Sequence, residues 1–141
     1  MLRREGDVLL APCAQCGGIS RSWPEESVIY GRIESSVSMQ CDCGAEGVAC
    51  DWGPLIGIAR EAFIARVGLA RVHADPEVNR PVRVRLLAVF RRDGMTIAEA
   101  VDAYARLTGD GIIDTPAVTQ LLADRLAAAG GAVTTAAGTP S

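Results

Sequence analysis

The sequence predicts an α+β protein, with a small cysteine-rich unit of short antiparallel strands followed by a compact bundle of about four helices. Three observations carry this expectation. All five cysteines fall between Cys13 and Cys50, and most of the strand-like alternation of apolar and polar residues falls in the same stretch. Beyond residue 54 the apolar residues instead recur at steps of three and four, the period of a helix face. The expected division is a metal-binding ribbon at 8–53, a helical domain at 54–129 and a flexible tail at 130–141.

A chain of 141 residues suits one domain, or a small metal domain joined to a helical one, and is too short for a large enzyme. Hydrophobic residues make up 49% but aromatics only 4%, so any core is aliphatic. All 14 basic residues are arginine. The net charge of −3 is unevenly spread, because residues 55–92 carry eight arginines against Glu61, Asp75 and Glu77. No apolar run reaches the 18 residues of a membrane span, and the segment 1–7 lacks the apolar stretch of a signal peptide, so a cytoplasmic protein with no membrane partner is expected. In a reducing compartment five cysteines read as metal ligands in preference to disulfides.

In the first part, residues 28–33, Ser35-Ser36 and residues 37–41 alternate as in a half-buried hairpin, and residues 47–50 suit a third strand. Ile56, Ala59, Phe63, Val67 and Ala70 then fall on one helical face, and residues 74–81 form a loop around Pro76 and Pro81. Residues 82–92 fit either period and are read as a helix because their neighbours are helical. Thr96-Ile97-Ala98-Glu99 is a capping box opening a helix through Leu107 that Gly109 ends. Another helix starts at Thr115-Pro116 and stops at Gly130-Gly131.

The chemistry concentrates in Cys13-Ala14-Gln15-Cys16 and Cys41-Asp42-Cys43. Two residues between cysteines let a tight turn aim both thiolates at one ion, and four thiolates make a closed tetrahedral zinc site with no position for water or substrate. The second pair has a single intervening residue, so Cys50 stands as an alternative ligand to Cys41. A thioredoxin-like redox pair needs a helix start beside a βαβ unit, and none is evident.

The run Leu9-Leu10-Ala11-Pro12-Cys13-Ala14-Gln15-Cys16-Gly17-Gly18, with the later Cys41-Asp42-Cys43-Gly44-Ala45-Glu46-Gly47, resembles the short zinc ribbons of the phage restriction alleviation family over about 40 of the 141 residues. The resemblance implies a ribbon fold, one structural Zn2+ held by Cys13, Cys16 and Cys43 with Cys41 as the fourth ligand, and a phage or prophage origin.

In the helical part, Arg80, Arg83, Arg85, Arg91 and Arg92 are candidates for binding nucleic acid or a protein partner, and three successive helices are compatible with a helix-turn-helix-like arrangement. The alternative is that these arginines form a solvated face. His73 reads as a surface residue, and Trp23 and Trp52 as covers for the metal turns. No nucleophile, base and orienting group stand together, so no enzymatic activity is expected. The expected function is a non-enzymatic zinc-ribbon accessory or regulatory protein that binds a host protein or a protein–nucleic acid complex. The alternative is a DNA-binding transcription regulator using the helical domain. Oligomeric state is left open.

Overall fold

The computed structural model describes residues 2–138, and the chain divides into two units, Met1–Gly68 and Leu69–Ser141. The α+β class is observed, with four α-helices and two antiparallel sheets among the described residues. The helices do not form one bundle.

The first unit is an up-and-down sheet of β1 (Arg3–Glu5), β2 (Val8–Pro12), β3 (Ile19–Ile29), β4 (Arg32–Gln40) and β5 (Glu46–Trp52), paired in chain order. The central hairpin turns at Tyr30-Gly31, not at the Ser35-Ser36 pair. Tyr30 has φ 52° and Gly31 φ 69°, the paired positive values of a two-residue turn whose twist matches the flanking strands. Ser35 and Ser36 instead pair with Glu26 and Glu25 inside the ladder.

Helix α1 (Gly57–Val67) belongs to this unit and packs on β1, β2 and β3. Its buried residues are Ala62 and Phe63, whereas Ile56 is 80% exposed and Val67 43%. Of the anticipated face, Phe63 is buried and Ala59 half-buried, while its ends at Ile56 and Val67 are exposed. Polar ties decide the orientation: Arg66 Nη2 donates to the Pro24 carbonyl at 2.6 Å, and the Leu55 amide donates to Glu26 Oε2 at 2.7 Å. With Leu9, Leu10, Cys13, Ile33 and Leu55 these residues make a small aliphatic core.

The second unit begins where a helix was anticipated to run on through Ala70. Gly68 takes φ 76° and ends α1, and residues 70–74 form β6 (Ala70–Ala74). β6 is the centre of a sheet between β7 (Ile112–Asp114) and β8 (Val133–Ala137). The anticipated tail thus contains a strand: residues 133–137 pair with 70–74, and only 139–141 lie outside the described residues. A 3-10 turn (Arg80–Val82) leads into α2 (Arg83–Arg92), followed by α3 (Ile97–Thr108) and α4 (Pro116–Ala128). Val72, Leu86, Phe90, Leu107 and Leu126 are at most 2% exposed and form the centre of its core.

The anticipated caps are present. The Glu99 amide donates to Thr96 Oγ1 at 3.1 Å and the Thr96 amide to Glu99 Oε1 at 2.9 Å, and this second bond holds the Glu99 carboxyl below its usual pKa. Thr115 Oγ1 accepts from the Val118 amide at the start of α4.

Buried Asn79 ties the 75–80 loop to the lead into β8. Its Nδ2 donates to the Asp75 carbonyl at 2.8 Å and the Ala132 carbonyl at 3.0 Å, and its Oδ1 accepts from the Ala132 amide at 2.8 Å. Asn79→Ala leaves these groups unsatisfied in a dry site and is expected to lower the unfolding free energy by about 1–3 kcal/mol in urea titration, without changing metal stoichiometry.

Candidate metal centre

In an up-and-down meander, alternate turns emerge at the same end of the sheet. The β2–β3 turn and the β4–β5 turn are therefore neighbours, separated by the β3–β4 pair in which Arg21 faces Gln40. The cysteines lie in these two turns. In the first, the Cys13 amide donates to the Gly18 carbonyl at 2.6 Å and the Gly17 amide to the Cys13 carbonyl at 2.9 Å. In the second, the Cys41 amide donates to the Ala45 carbonyl at 2.9 Å and the Gly44 amide to the Cys41 carbonyl at 3.0 Å. Gly17 at φ 75° and Gly44 at φ 94° supply the left-handed residue that closes each turn.

The sulfurs of Cys13, Cys16, Cys41 and Cys43 all lie within 4.8 Å of one another. Cys13 Sγ is 3.8 Å from Cys43 Sγ, and Cys16 Sγ is 3.6 Å from Cys41 Sγ. These separations are far beyond a disulfide bond, and the cysteines are free. Four sulfurs bound at the usual zinc distance are about 3.8 Å apart along each edge of a tetrahedron, so the two cross-turn contacts already match a closed thiolate site. The donor set fits a soft divalent ion, and the four residues can hold one.

The surrounding backbone is arranged for negative sulfur. Amides of Cys16 and Gln15 donate to Cys13 and, with help from the neighbouring thiols, lower its pKa from 9.0 to about 7 against the opposing effect of burial. At Cys16 the Gly18 amide, 3.3 Å away, pulls in the same direction, but the Cys41 and Cys43 thiols and burial outweigh it and push the pKa up to about 12. At Cys43 the Ala45 amide lowers the pKa, and burial together with Cys41 raises it further than the amide pulls it down. Crowded thiols thus resist simultaneous ionisation until a cation is present. Arg21, on β3, pairs with Asp42, between the two later cysteines, at 3.1 Å.

Amides donating to sulfur are what such a tight cysteine turn is expected to supply, and they follow a regular offset. Gln15, Gly18 and Ala45 each lie two residues after the cysteine they serve. Arg21 has no such signal, because it is placed only by the strand register.

Cys50 is not brought to the cluster. It lies exposed on β5 opposite Ser36. Trp52 covers neither metal turn, since it faces Glu34 toward the other end of the sheet, with the Arg32 guanidinium 4.3 Å from its ring centre. Trp23 sits in mid-strand opposite Ser38.

The five candidate arginines all lie in the second unit, on the 3-10 turn and α2, and all are exposed. Arg80 pairs with Glu77 at 3.0 Å, Arg83 lies 5.6 Å from the Tyr104 ring centre, and Arg91 donates to the Met95 carbonyl at 3.1 Å. Helix α2 contains no acidic residue. His73 is half-buried on β6 opposite Thr134. Asp93 pairs with Arg125 at 2.7 Å, and Asp114 caps the Thr115 amide. No helix among the described residues is long and apolar enough to cross a membrane.

What fold and site define is an α+β protein carrying a four-cysteine centre at one end of an antiparallel meander. No protein-family model, curated protein or solved structure matches the chain.

The geometry predicts one bound ion per chain after zinc loading. Single Cys→Ser changes at 13, 16, 41 or 43 are expected to weaken binding sharply, and Cys50→Ser to leave it intact, as read by metal analysis. Protons compete for the same sulfurs, and the raised thiols of Cys16 and Cys43 must lose theirs on binding. Affinity should therefore fall as pH falls, with proton release measurable by calorimetry in buffers of different ionisation heat.

Proposed function

We propose that this protein is a non-enzymatic recognition module whose first unit is held together by one structural zinc ion, and which acts as an accessory or regulatory factor on a protein or a protein–nucleic acid complex. The convergence of four thiols within 4.8 Å, with the two cross-turn contacts near the edge length of a closed tetrahedron, carries this reading. When bound, zinc would supply cross-linking between two distant turns. The protein groups would orient it: amides two residues beyond Cys13, Cys16 and Cys43 donate to sulfur, and the Arg21–Asp42 ion pair braces the second turn against β3. With all four positions occupied by protein, nothing is left to activate water, which favours a structural over a catalytic role.

A second reading, nucleic-acid binding through the second unit, is favoured by the basic helix α2. The connection from α2 to α3 runs through residues 93–96 and contains Gly94, the length expected of a helix-turn-helix. Exposed residues of α3, however, include Glu99 and Asp102 beside Ile97 and Val101, which suit a groove poorly. The arginines of α2 would then serve as phosphate contacts without base readout.

One titration separates the two. If α2 binds phosphate, duplex DNA or RNA should be retained in a gel shift whose affinity falls steeply with salt and weakens in Arg85→Ala/Arg92→Ala. If the protein-binding reading holds, those substitutions leave capture of the partner from host lysate unchanged, while chelation or Cys13→Ser abolishes it. Equal capture by zinc-loaded and chelated protein would sink the recognition module as stated.

A further inference from the structure

Independently of the function proposed for the metal centre, the two edges of the first sheet differ. The β1 edge is three residues long and charged, Arg-Arg-Glu, which are the usual devices that keep an edge from pairing. The β5 edge is seven residues long, every one of them exposed, and its central Gly47-Val48-Ala49-Cys50 contains neither charge nor proline. Val48 is 68% exposed.

The hydrogen-bond phase of this edge follows from its two ends. The Cys41 amide donates to Ala45, and the Gly53 amide donates to Ile33 at 2.7 Å. Bonded and non-bonded pairs alternate in an antiparallel ladder, so Gly47, Ala49 and Asp51 address β4, and Glu46, Val48, Cys50 and Trp52 turn their backbone groups to the free edge. The Trp52 amide is already taken by Asp51 Oδ1 at 2.8 Å. The side chains of Glu46, Val48, Cys50 and Trp52 share one face with Glu34, Ser36 and Ser38 of β4, and that face also carries Arg32 against the Trp52 ring.

We propose that β5 is a pairing edge for a second copy of this chain, joined antiparallel about a two-fold axis at Ala49, so that two five-stranded sheets become one. This register sets all seven residues of β5 opposite a residue of the partner's β5, with Val48 and Cys50 exchanging backbone hydrogen bonds. It sets Val48 opposite the partner's Cys50 and Asp51 opposite the partner's Gly47, so no like charges meet. It also sets Glu46 opposite the partner's Trp52, over which the partner's Arg32 guanidinium lies. Each dimer gains two such carboxylate–guanidinium contacts, and within one chain Arg32 and Glu46 sit at opposite ends of the β4–β5 ladder. Shifting the axis by one residue breaks the Glu46–Trp52 match. That charge complementarity, with full overlap, favours a second copy over an unrelated extended segment.

The test uses the full-length, zinc-loaded chain in sedimentation velocity across a concentration series. Wild-type protein should approach twice the monomer mass. Glu46→Arg and Arg32→Glu should each weaken association about tenfold, and the double variant Glu46→Arg/Arg32→Glu should recover most of the loss, because the swapped charges meet only between copies. Val48→Pro, with unchanged circular dichroism and zinc content, should be monomeric. A wild-type chain that stays monomeric throughout overturns the proposal, including one whose Val48 and Cys50 amides become protected only by an added basic peptide. So does a double variant no better than the singles.

Discussion

Four sulfurs come together at one point, and their approach depends on how the whole first unit folds. Cys13 and Cys16 are separated from Cys41 and Cys43 by the whole β3–β4 hairpin, so the ligands meet only if that hairpin folds back in the right register. A tight turn at Tyr30-Gly31 meets this condition, because it adds no slack between two long strands. An ion at that point would be worth more than any side chain in the unit. Structural zinc binding contributes on the order of 10 kcal/mol or more, against about 1.5–3 kcal/mol for a fully buried Leu or Phe. The comparison matters most for β5, which buries no residue. Its pairing with β4 keeps it in the sheet, and an ion at its leading turn would add a second tie.

Local chemistry was legible in the sequence wherever a motif closes within a few residues. The cysteine turns, the Thr96–Glu99 capping box and the Thr115-Pro116 helix start all satisfy their own hydrogen bonds locally, and each stands where spacing placed it. Elements decided by distant partners were not legible. Ala70 follows Val67 by three residues and so extends a helical pattern, yet it begins a strand because Gly68 breaks the helix and residues 70–74 pair with 112–114 and 133–137. Strand β8, Val-Thr-Thr-Ala-Ala, has no large apolar residue beyond Val133 and reads as tail until β6 provides a ladder. The face of α1 was legible only at its centre, for a related reason. Apolar spacing placed Phe63 on the inward face, where it is found, but Ile56 and Val67 at the ends are exposed and Ala62 is buried instead, with the Arg66 and Leu55 hydrogen bonds tying the helix to β3.

The arginines show how far charge alone can mislead. Of the five on the 3-10 turn and α2, Arg80 is matched to Glu77, Arg83 leans on the Tyr104 ring, and Arg91 ties the helix end to Met95. Arg91 and Arg92 also occupy the last turn of α2, where positive charge is favoured by the helix dipole. Part of the basic stripe is therefore structural, which leaves Arg85 and Arg92 as the residues best able to meet phosphate at little structural cost.

A closed metal site and an exposed edge have a common physical logic. An edge strand binds another strand well only if its backbone groups are already aligned, since ordering a loose segment costs roughly 1–2 kcal/mol for each residue fixed. β5 has no core of its own to impose that order, and it starts directly after the Cys41–Cys43 turn. Under the proposed reading, an ion bridging that turn to Cys13 and Cys16 fixes the origin and direction of β5 before any partner arrives. Metal occupancy would then set how well ordered the edge is without the ion touching a partner, because the ion would stiffen a thin sheet whose own core is small.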